Sequence, residues 1–395
     1  MLAPAADGAK RVLERLEGVY GIGGGCGANR PGLSGGEQEA HDLVAAWMEE
    51  AGLRVDVDAA GNLWGTLAGT QPELPAVWTG SHVDSVPEGG RFDGVLGVVG
   101  GIEAVAAVTA SGRPARTLAV VAYRDEDGSR FGRGFFGSRA LSGLLAHGEL
   151  EARDADGVSV REALARLGFR APAPGGWLRE PPRAFLECHV EQGPVLALAE
   201  MPLGVPTGIV GIARGEPEFR GVAGHAGTTP MRDRADALCS AAELVLRARD
   251  AAGAIEGAVA TVGRLTVEPG AINVVPGRVR ATVDARAPDR ARFEALLAAL
   301  PEADVRVLEP IELSEEPRTA LRRELEARAL PLVELASGAG HDAGILASAG
   351  VPSALLFVRS LAGGASHSPE EESSEDDVAL ALEVLAGAVA RLAAA

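Results

Sequence analysis

Apolar positions recur at helical spacing over residues 9–20, where Leu13, Leu16 and Val19 share a face, and over 36–51, where Leu43, Ala46 and Met48 do. Ser34 followed by Glu37 has the form of a capping box opening the second helix. Short strand-like runs follow at 53–57, 63–67 and 76–79, then a Gly-rich loop and a helix over 95–110. Residues 118–123 are continuously apolar, as expected of a strand buried on both faces, and 185–190 and 354–358 read the same way. Helices alternating with such strands predict an α/β fold whose mixed, largely parallel sheet is flanked by helices. From about residue 208 the pattern changes to extended 210–222, helical 233–251, strands 258–267 and 278–285, helix 289–300 and strand 305–313. That order, βαββαβ, is a ferredoxin-like unit. The α/β pattern then returns and ends in a helix over 375–392. The chain therefore divides into a discontinuous domain, 1–207 with 317–395, and an inserted α+β domain, 208–316.

Composition narrows the function. Of 395 residues, 47% are hydrophobic and 23% charged, ordinary globular values that exclude wholesale disorder. A net charge of −18 repels nucleic-acid phosphates and anionic lipid, so neither nucleic acid nor membrane is expected as a partner. Three cysteines, Cys26, Cys188 and Cys239, suit a reducing compartment, and the first twenty residues lack the apolar core of a signal peptide. A cytoplasmic protein is expected. The acidic run 370–377 reads as a solvated helix start.

Candidate chemistry collects at strand ends. Five of the seven histidines, His82, His189, His225, His341 and His367, lie in Gly- or Pro-flanked turns, whereas His41 reads as a helix-surface residue and His147 as a loop residue. In TGSHVDSVPEGGRFDG (79–94), His82 and Asp84 alternate at a strand end and Asp93 follows in a turn, where its carboxylate could lie between two cations. In YRDEDGSRFG (123–132) three consecutive carboxylates leave a buried strand; they need a cation, or else a solvated turn with Arg124 and Arg130 as partners. Glu126 and Asp127 could divide proton transfer and metal binding. LECHVEQG (186–193), SGAGHDAG (337–344) and GGASHSPEE (363–371) complete the set. Each is explicable as structure; together they offer the His, Asp and Glu ligands of a dinuclear Zn- or Mn-type site.

With GHAGTTPMRDRADAL and INVVPGRVRATVDAR added, these motifs resemble the dinuclear-metal amidohydrolases that include N-carbamoyl-L-amino-acid hydrolases, β-ureidopropionases and allantoate amidohydrolases, within the aminoacylase and carboxypeptidase-like superfamily. The resemblance covers nearly the whole chain. It implies two divalent ions, Zn or Mn with Co or Ni possible, one on His82 and His189, the other on Asp127 and His367, bridged by Asp93 with Asp84 behind His82. It implies Glu126 as general base and His225 as oxyanion donor. Asn273 and Arg286 would grip a substrate carboxylate, in a pocket lined by Gln192 and His341; the alternative for Arg286 is a surface pair with Asp284 or Asp289. It further implies a homodimer formed by the inserted, lid-like domain, so that His225, Asn273 and Arg286 act across the interface or after closure. A hairpin across Pro276-Gly277 is expected to bring Asn273 near Arg286. The family usually has Glu-Glu where this chain has Glu126-Asp127, and a smaller residue where it has Arg359, here either a substrate contact or a surface cation.

The leading functional expectation is metal-dependent hydrolysis of an N-carbamoyl-L-amino acid to amino acid, CO2 and ammonia. Allantoate hydrolysis is the alternative, since both substrates carry a carboxylate. A superfamily peptidase and an inactive acidic binding protein come after; HVEQG counts against the first and the intact ligand set with Glu126 against the second.

Overall fold

The structure, a computed structural model, describes residues 7–173, 175–300 and 305–394. The chain forms two compact units: one contains residues up to 207, 313–335 and 340 onward, the other 208–312 with 336–339.

In the first unit the strands Leu118–Tyr123, Val77–His82, Ala184–Val190 and Ser353–Val358 are parallel neighbours in that order. Leu63–Leu67 and Arg54–Val57 extend the sheet antiparallel at one end, and Leu203–Ile209 does so at the other. The sheet is thus mixed with a parallel centre. Every residue of the two strands Leu118–Tyr123 and Ala184–Val190 is buried, because helices cover both faces. Leu118, Val120, Ala122, Leu186, Cys188, Leu356 and Val358 pack with Val12, Leu16, the helix Val95–Ala110 and the helix Glu375–Ala393. The alternate residues Val121, Tyr123, Phe185, Leu355 and Phe357 pack with Ala343 and Leu346 of the helix Asp342–Ser348. A fully buried aliphatic side chain contributes about 1.5–3 kcal/mol, so this double layer fixes the strand ends, where His82, Arg124, His189 and Arg359 emerge.

Two expectations about the second helix change. Its buried stripe is Glu37, Ala40, His41, Val44 and Met48; His41 is therefore a core residue rather than a surface one. Ser34 accepts from the Glu37 N–H at 3.2 Å, but the Glu37 carboxylate does not complete a box. It accepts instead from the N–H groups of Leu33 (2.8 Å) and Asp125 (2.9 Å) and pairs with Arg124 at 3.0 Å.

In the second unit the strands Val259–Thr261, Val283–Ala287, Gly211–Gly215 and Val305–Leu308 form an antiparallel sheet in that order. Taken in chain order this is 2-3-1-4, the strand arrangement of a ferredoxin-like unit, with the helices Ala237–Ala254 and Arg290–Ala299 as its two crossovers. The long strands break midway: Glu218–Arg220, Leu265–Glu268 and Arg278–Ala281 form a separate three-stranded ladder. Leu244, Ala285, Phe293 and Leu296 centre its core. Among the described residues no helix is long and apolar enough to cross a membrane, and all three cysteines are free thiols.

Candidate dinuclear metal centre

His82 ends its strand and is fully buried; its Nδ1 lies 3.3 Å from the Asp84 carboxylate, which also accepts from the Glu126 N–H at 3.0 Å and the Asp127 N–H at 3.1 Å. Asp84 thus orients both the imidazole and the turn that carries Glu126. Asp93 faces two ways. One carboxylate oxygen lies 3.6 Å from His82 Nε2 and 3.1 Å from His189 Nε2; the other lies 3.2 Å from His367 Nε2, which is itself 3.4 Å from Asp127. Two groups, His82–Asp93–His189 and Asp93–Asp127–His367, each bring their ligand atoms within 4.8 Å of one another and share only Asp93. Glu126 stands beside them, 3.7 Å from His82 Nε2.

The backbone that delivers these groups is bent. Asp125, Gln192 and His367 hold left-handed φ values of 50°, 56° and 53°, a clustering of strain found at functional sites. Gly94 has φ 65°, and a Cβ there would stand 2.4 Å from the His82 ring. Only glycine leaves room for the imidazole.

The electrostatics ask for cations. Burial, reinforced by Asp93 and Asp84, pushes the Asp127 carboxyl up to about 7. Burial lifts Glu126 well above the usual carboxylate range; Asp127, Asp342 and Asp84 add to this and His82 opposes it. Burial pulls the His82 imidazole down, yet Glu126, Asp84 and Asp93 together hold it well above its ordinary value. His367 is raised to about 9, chiefly by its hydrogen bond to Asp93. The cations of the acidic turn are spent elsewhere: Arg124 pairs with Glu37, and Arg130 with Asp154 at 2.9 Å. The solvated turn with Arg124 and Arg130 as its partners therefore does not form. Among the described residues, buried oxygens on Asp125 and Asp127 find no hydrogen-bond donor. Imidazoles drawn toward protonation and carboxylates drawn toward neutrality are what a donor set built around two divalent ions looks like without them. The His and carboxylate donors suit divalent metal ions.

Around this centre Gln192 donates to Asp93 at 3.2 Å and to Ser366 at 3.1 Å. His341 is buried edge-on against His189, with ring centroids 4.6 Å apart, and precedes the helix Asp342–Ser348. Glu187, which sequence reasoning passed over, accepts from the Ser81 hydroxyl at 2.6 Å and the Ala343 N–H at 2.8 Å, tying the residue before His82 to the helix that follows His341. Its signal was a charge inside an otherwise apolar strand. Arg30 was missed too: it is buried and donates to the Val83 and Val19 carbonyls. Arg359 pairs with Asp377 at 2.8 Å, which makes it a helix-anchoring cation.

His225, Asn273 and Arg286 belong to the second unit. His225 is exposed on a two-residue strand, and its Nδ1 accepts from the Gly227 N–H at 3.1 Å, so a neutral ring carries its proton on Nε2 as a free donor. Gly224–His225 pairs with Val274–Val275, and the Ala226 N–H donates to the Asn273 carbonyl at 2.9 Å. Asn273 is therefore the neighbour of His225 and not, as the expected hairpin had it, of Arg286. Arg286 sits in the four-stranded sheet, where Asp284 accepts from its Nε (2.8 Å) and Nη2 (3.1 Å), and the Gly338 carbonyl from Nη1 at 2.7 Å.

Comparison with known proteins agrees with this geometry. An N-carbamoyl-L-amino acid amidohydrolase of Geobacillus stearothermophilus is 40% identical, covering 97% of this chain and 98% of its own. A probable allantoate deiminase of Oryza sativa subsp. japonica is 34% identical over 88% of this chain and 80% of its own. A crystal structure of an amidase of the hydantoinase/carbamoylase family from Burkholderia multivorans superimposes with a TM-score of 0.88 at 33% identity, covering 98% of both chains. The sequence pattern of peptidase family M20/M25/M40 runs from residue 78 to 391, through every ligand segment above, and the chain accordingly belongs to that family and is a hydrolytic enzyme of its amidohydrolase branch.

Proposed function

We propose that the enzyme hydrolyses the linear C–N bond of N-carbamoyl-L-amino acids, releasing amino acid, CO2 and ammonia. The observation that carries this reading is Asp93, whose two oxygens serve two separate ligand groups beside the buried Glu126. His82 and His189 would hold one ion and Asp127 and His367 the other. When bound, such ions lower the pKa of water from ~15.7 toward ~7 and polarise a carbonyl. Glu126, 3.7 Å from His82 Nε2, takes the proton of the attacking water on its carboxylate and passes it to the leaving nitrogen. His225, acting across the dimer interface or after closure, would present its Nε2–H to the oxyanion. Arg286 and Asn273, from separate ladders of the second unit, would each offer donors to a substrate carboxylate; Asp284 and the Gly338 carbonyl already take three hydrogens of Arg286, so its share of the grip would come from the remaining Nη hydrogens. Gln192 and His341 line the site.

The inserted domain is read as the dimerisation surface. Its edge strand Val259–Thr261, with Val259 57% exposed, is open to pairing with the same strand of a second copy. Free thiols and an acidic surface fit a cytoplasmic enzyme. Relatives named for allantoate make that diureido acid the second substrate to test. Ammonia release is measured from N-carbamoyl amino acids and from allantoate, with and without added Mn or Zn. The reading requires metal-dependent turnover with the N-carbamoyl amino acid favoured; preference for allantoate replaces the substrate, and turnover of neither refutes the reading.

A further inference from the structure

Glu371 lies in the acidic run expected to be solvated, yet only 5% of it is exposed. One of its carboxylate oxygens accepts from the Phe92 N–H at 2.7 Å and the Asp93 N–H at 3.0 Å. The other accepts from the Ser366 hydroxyl at 2.9 Å. Ser366 immediately precedes His367 and accepts from Gln192, whose amide also donates to Asp93. The carboxylate is seated tightly, since a Cβ at Gly90 would fall 2.2 Å from it. A buried charge with no cation partner among the described residues is costly, and three donors from two ligand segments are what offset it here.

We propose that Glu371 is a positioning residue for the metal centre: it fixes the backbone of the bridging Asp93 and, through Ser366, the loop carrying His367, so that the two ligand groups close at their shared carboxylate. The inference rests on the dinuclear reading above. His367 needs such support more than His82 or His189 does. Its side chain is half exposed and its backbone left-handed, whereas both other imidazoles are buried. Groups that orient ligands from behind typically control metal affinity by about 10- to 100-fold.

Three variants separate the two halves of the clamp. Glu371→Gln keeps an oxygen for the Phe92 and Asp93 N–H groups but turns an N–H donor toward Ser366. Ser366→Ala removes the same link from the other side. Glu371→Ala removes both halves. Each metal-stripped protein is titrated with Mn2+ by calorimetry, and its unfolding is followed without metal. Glu371→Gln and Ser366→Ala should each weaken one of two binding events by about 10- to 100-fold and spare the other, with the metal-free unfolding midpoint unchanged by Ser366→Ala. Glu371→Ala should weaken both. Wild type binding two ions while Glu371→Gln and Ser366→Ala bind both with unaltered affinity overturns this inference alone. Wild type that binds no metal overturns the dinuclear reading and the inference with it.

Discussion

Replacing Glu126 by Gln separates catalysis from stability, because the two should move in opposite directions. The amide keeps the shape of the side chain and leaves the Glu126 N–H on Asp84 undisturbed, but it cannot accept a proton. Loss of a positioned general base costs about 10²–10⁴-fold in rate, or roughly 3–5 kcal/mol at 1.36 kcal/mol per decade. Stability should rise. Burial first, then Asp127, Asp342 and Asp84, lift the Glu126 carboxyl well above its ordinary value in the folded protein. At a pH between the unfolded and folded values the unfolded chain is ionised and the folded one resists ionisation. Wild type therefore loses stability as pH rises above about 4.5, until the folded group also ionises. The variant has no such term, and its advantage in the metal-stripped protein should grow with pH across that window. The assay is steady-state ammonia release from an N-carbamoyl amino acid, beside urea unfolding of stripped protein from pH 5 to 8. Near-wild-type turnover would show that another group is the base. A variant less stable than wild type at pH 8 would show that Glu126 is not held against its charge.

Asp93→Asn should reduce metal content toward zero per chain and His367→Ala toward one, as read by elemental analysis, since only Asp93 belongs to both ligand groups. Chelation should abolish ammonia release, and Mn, Zn, Co or Ni should restore it; activity that survives exhaustive chelation contradicts the site. Burial, assisted by Arg124, holds His41 well below its ordinary pKa, so the unfolded chain takes up its proton first as pH falls below about 6.5 and stability declines there by up to ~1.4 kcal/mol per pH unit; His41→Leu should flatten this part of the unfolding profile between pH 6.5 and 5. Arg286→Lys should lower kcat/KM about 10- to 100-fold on an N-carbamoyl amino acid, the loss of one charge-assisted hydrogen bond, and far less on the corresponding amide; equal losses on both exclude carboxylate recognition.

The strands at the centre of the sheet could be read from the chain because burial on both faces leaves an unbroken apolar run, and His82 and His189 drew notice as candidate ligands because they stand where such runs stop. Polar residues buried for structural reasons could not be read in this way. His41 and Glu37 occupy the buried stripe of their helix at positions 37, 41, 44 and 48, so apolar periodicity alone assigned the helix a rotated face. Glu371 looked like one more acid in a solvated run, because its partners, Phe92 and Asp93, are nearly 280 positions away. The Asn273–Arg286 hairpin failed for another reason. The run 278–285 reads as one strand but changes ladders at Thr282: residues before it pair with Leu265–Glu268, those after it with Val259–Thr261 and Gly211–Gly215. Sequence spacing carries no record of such a switch.

Asp93 and Gly94 lead directly into Val95–Ala110, a helix with thirteen buried residues, and the Leu96 N–H donates back to the Phe92 carbonyl at 2.9 Å. Asp93, the carboxylate proposed to bridge the two ions, therefore moves only with the core of the sheet, and His82 and His189 are held by that same core. His367 hangs on a surface loop. The two ions should consequently differ in residence time rather than in ligand chemistry: one is trapped behind slow motions of the packed interior, while the other exchanges on the timescale of a loop. Preparations washed free of metal would pass through a long-lived one-ion form, and the metal chosen for the second position would follow whatever the surrounding solution last contained.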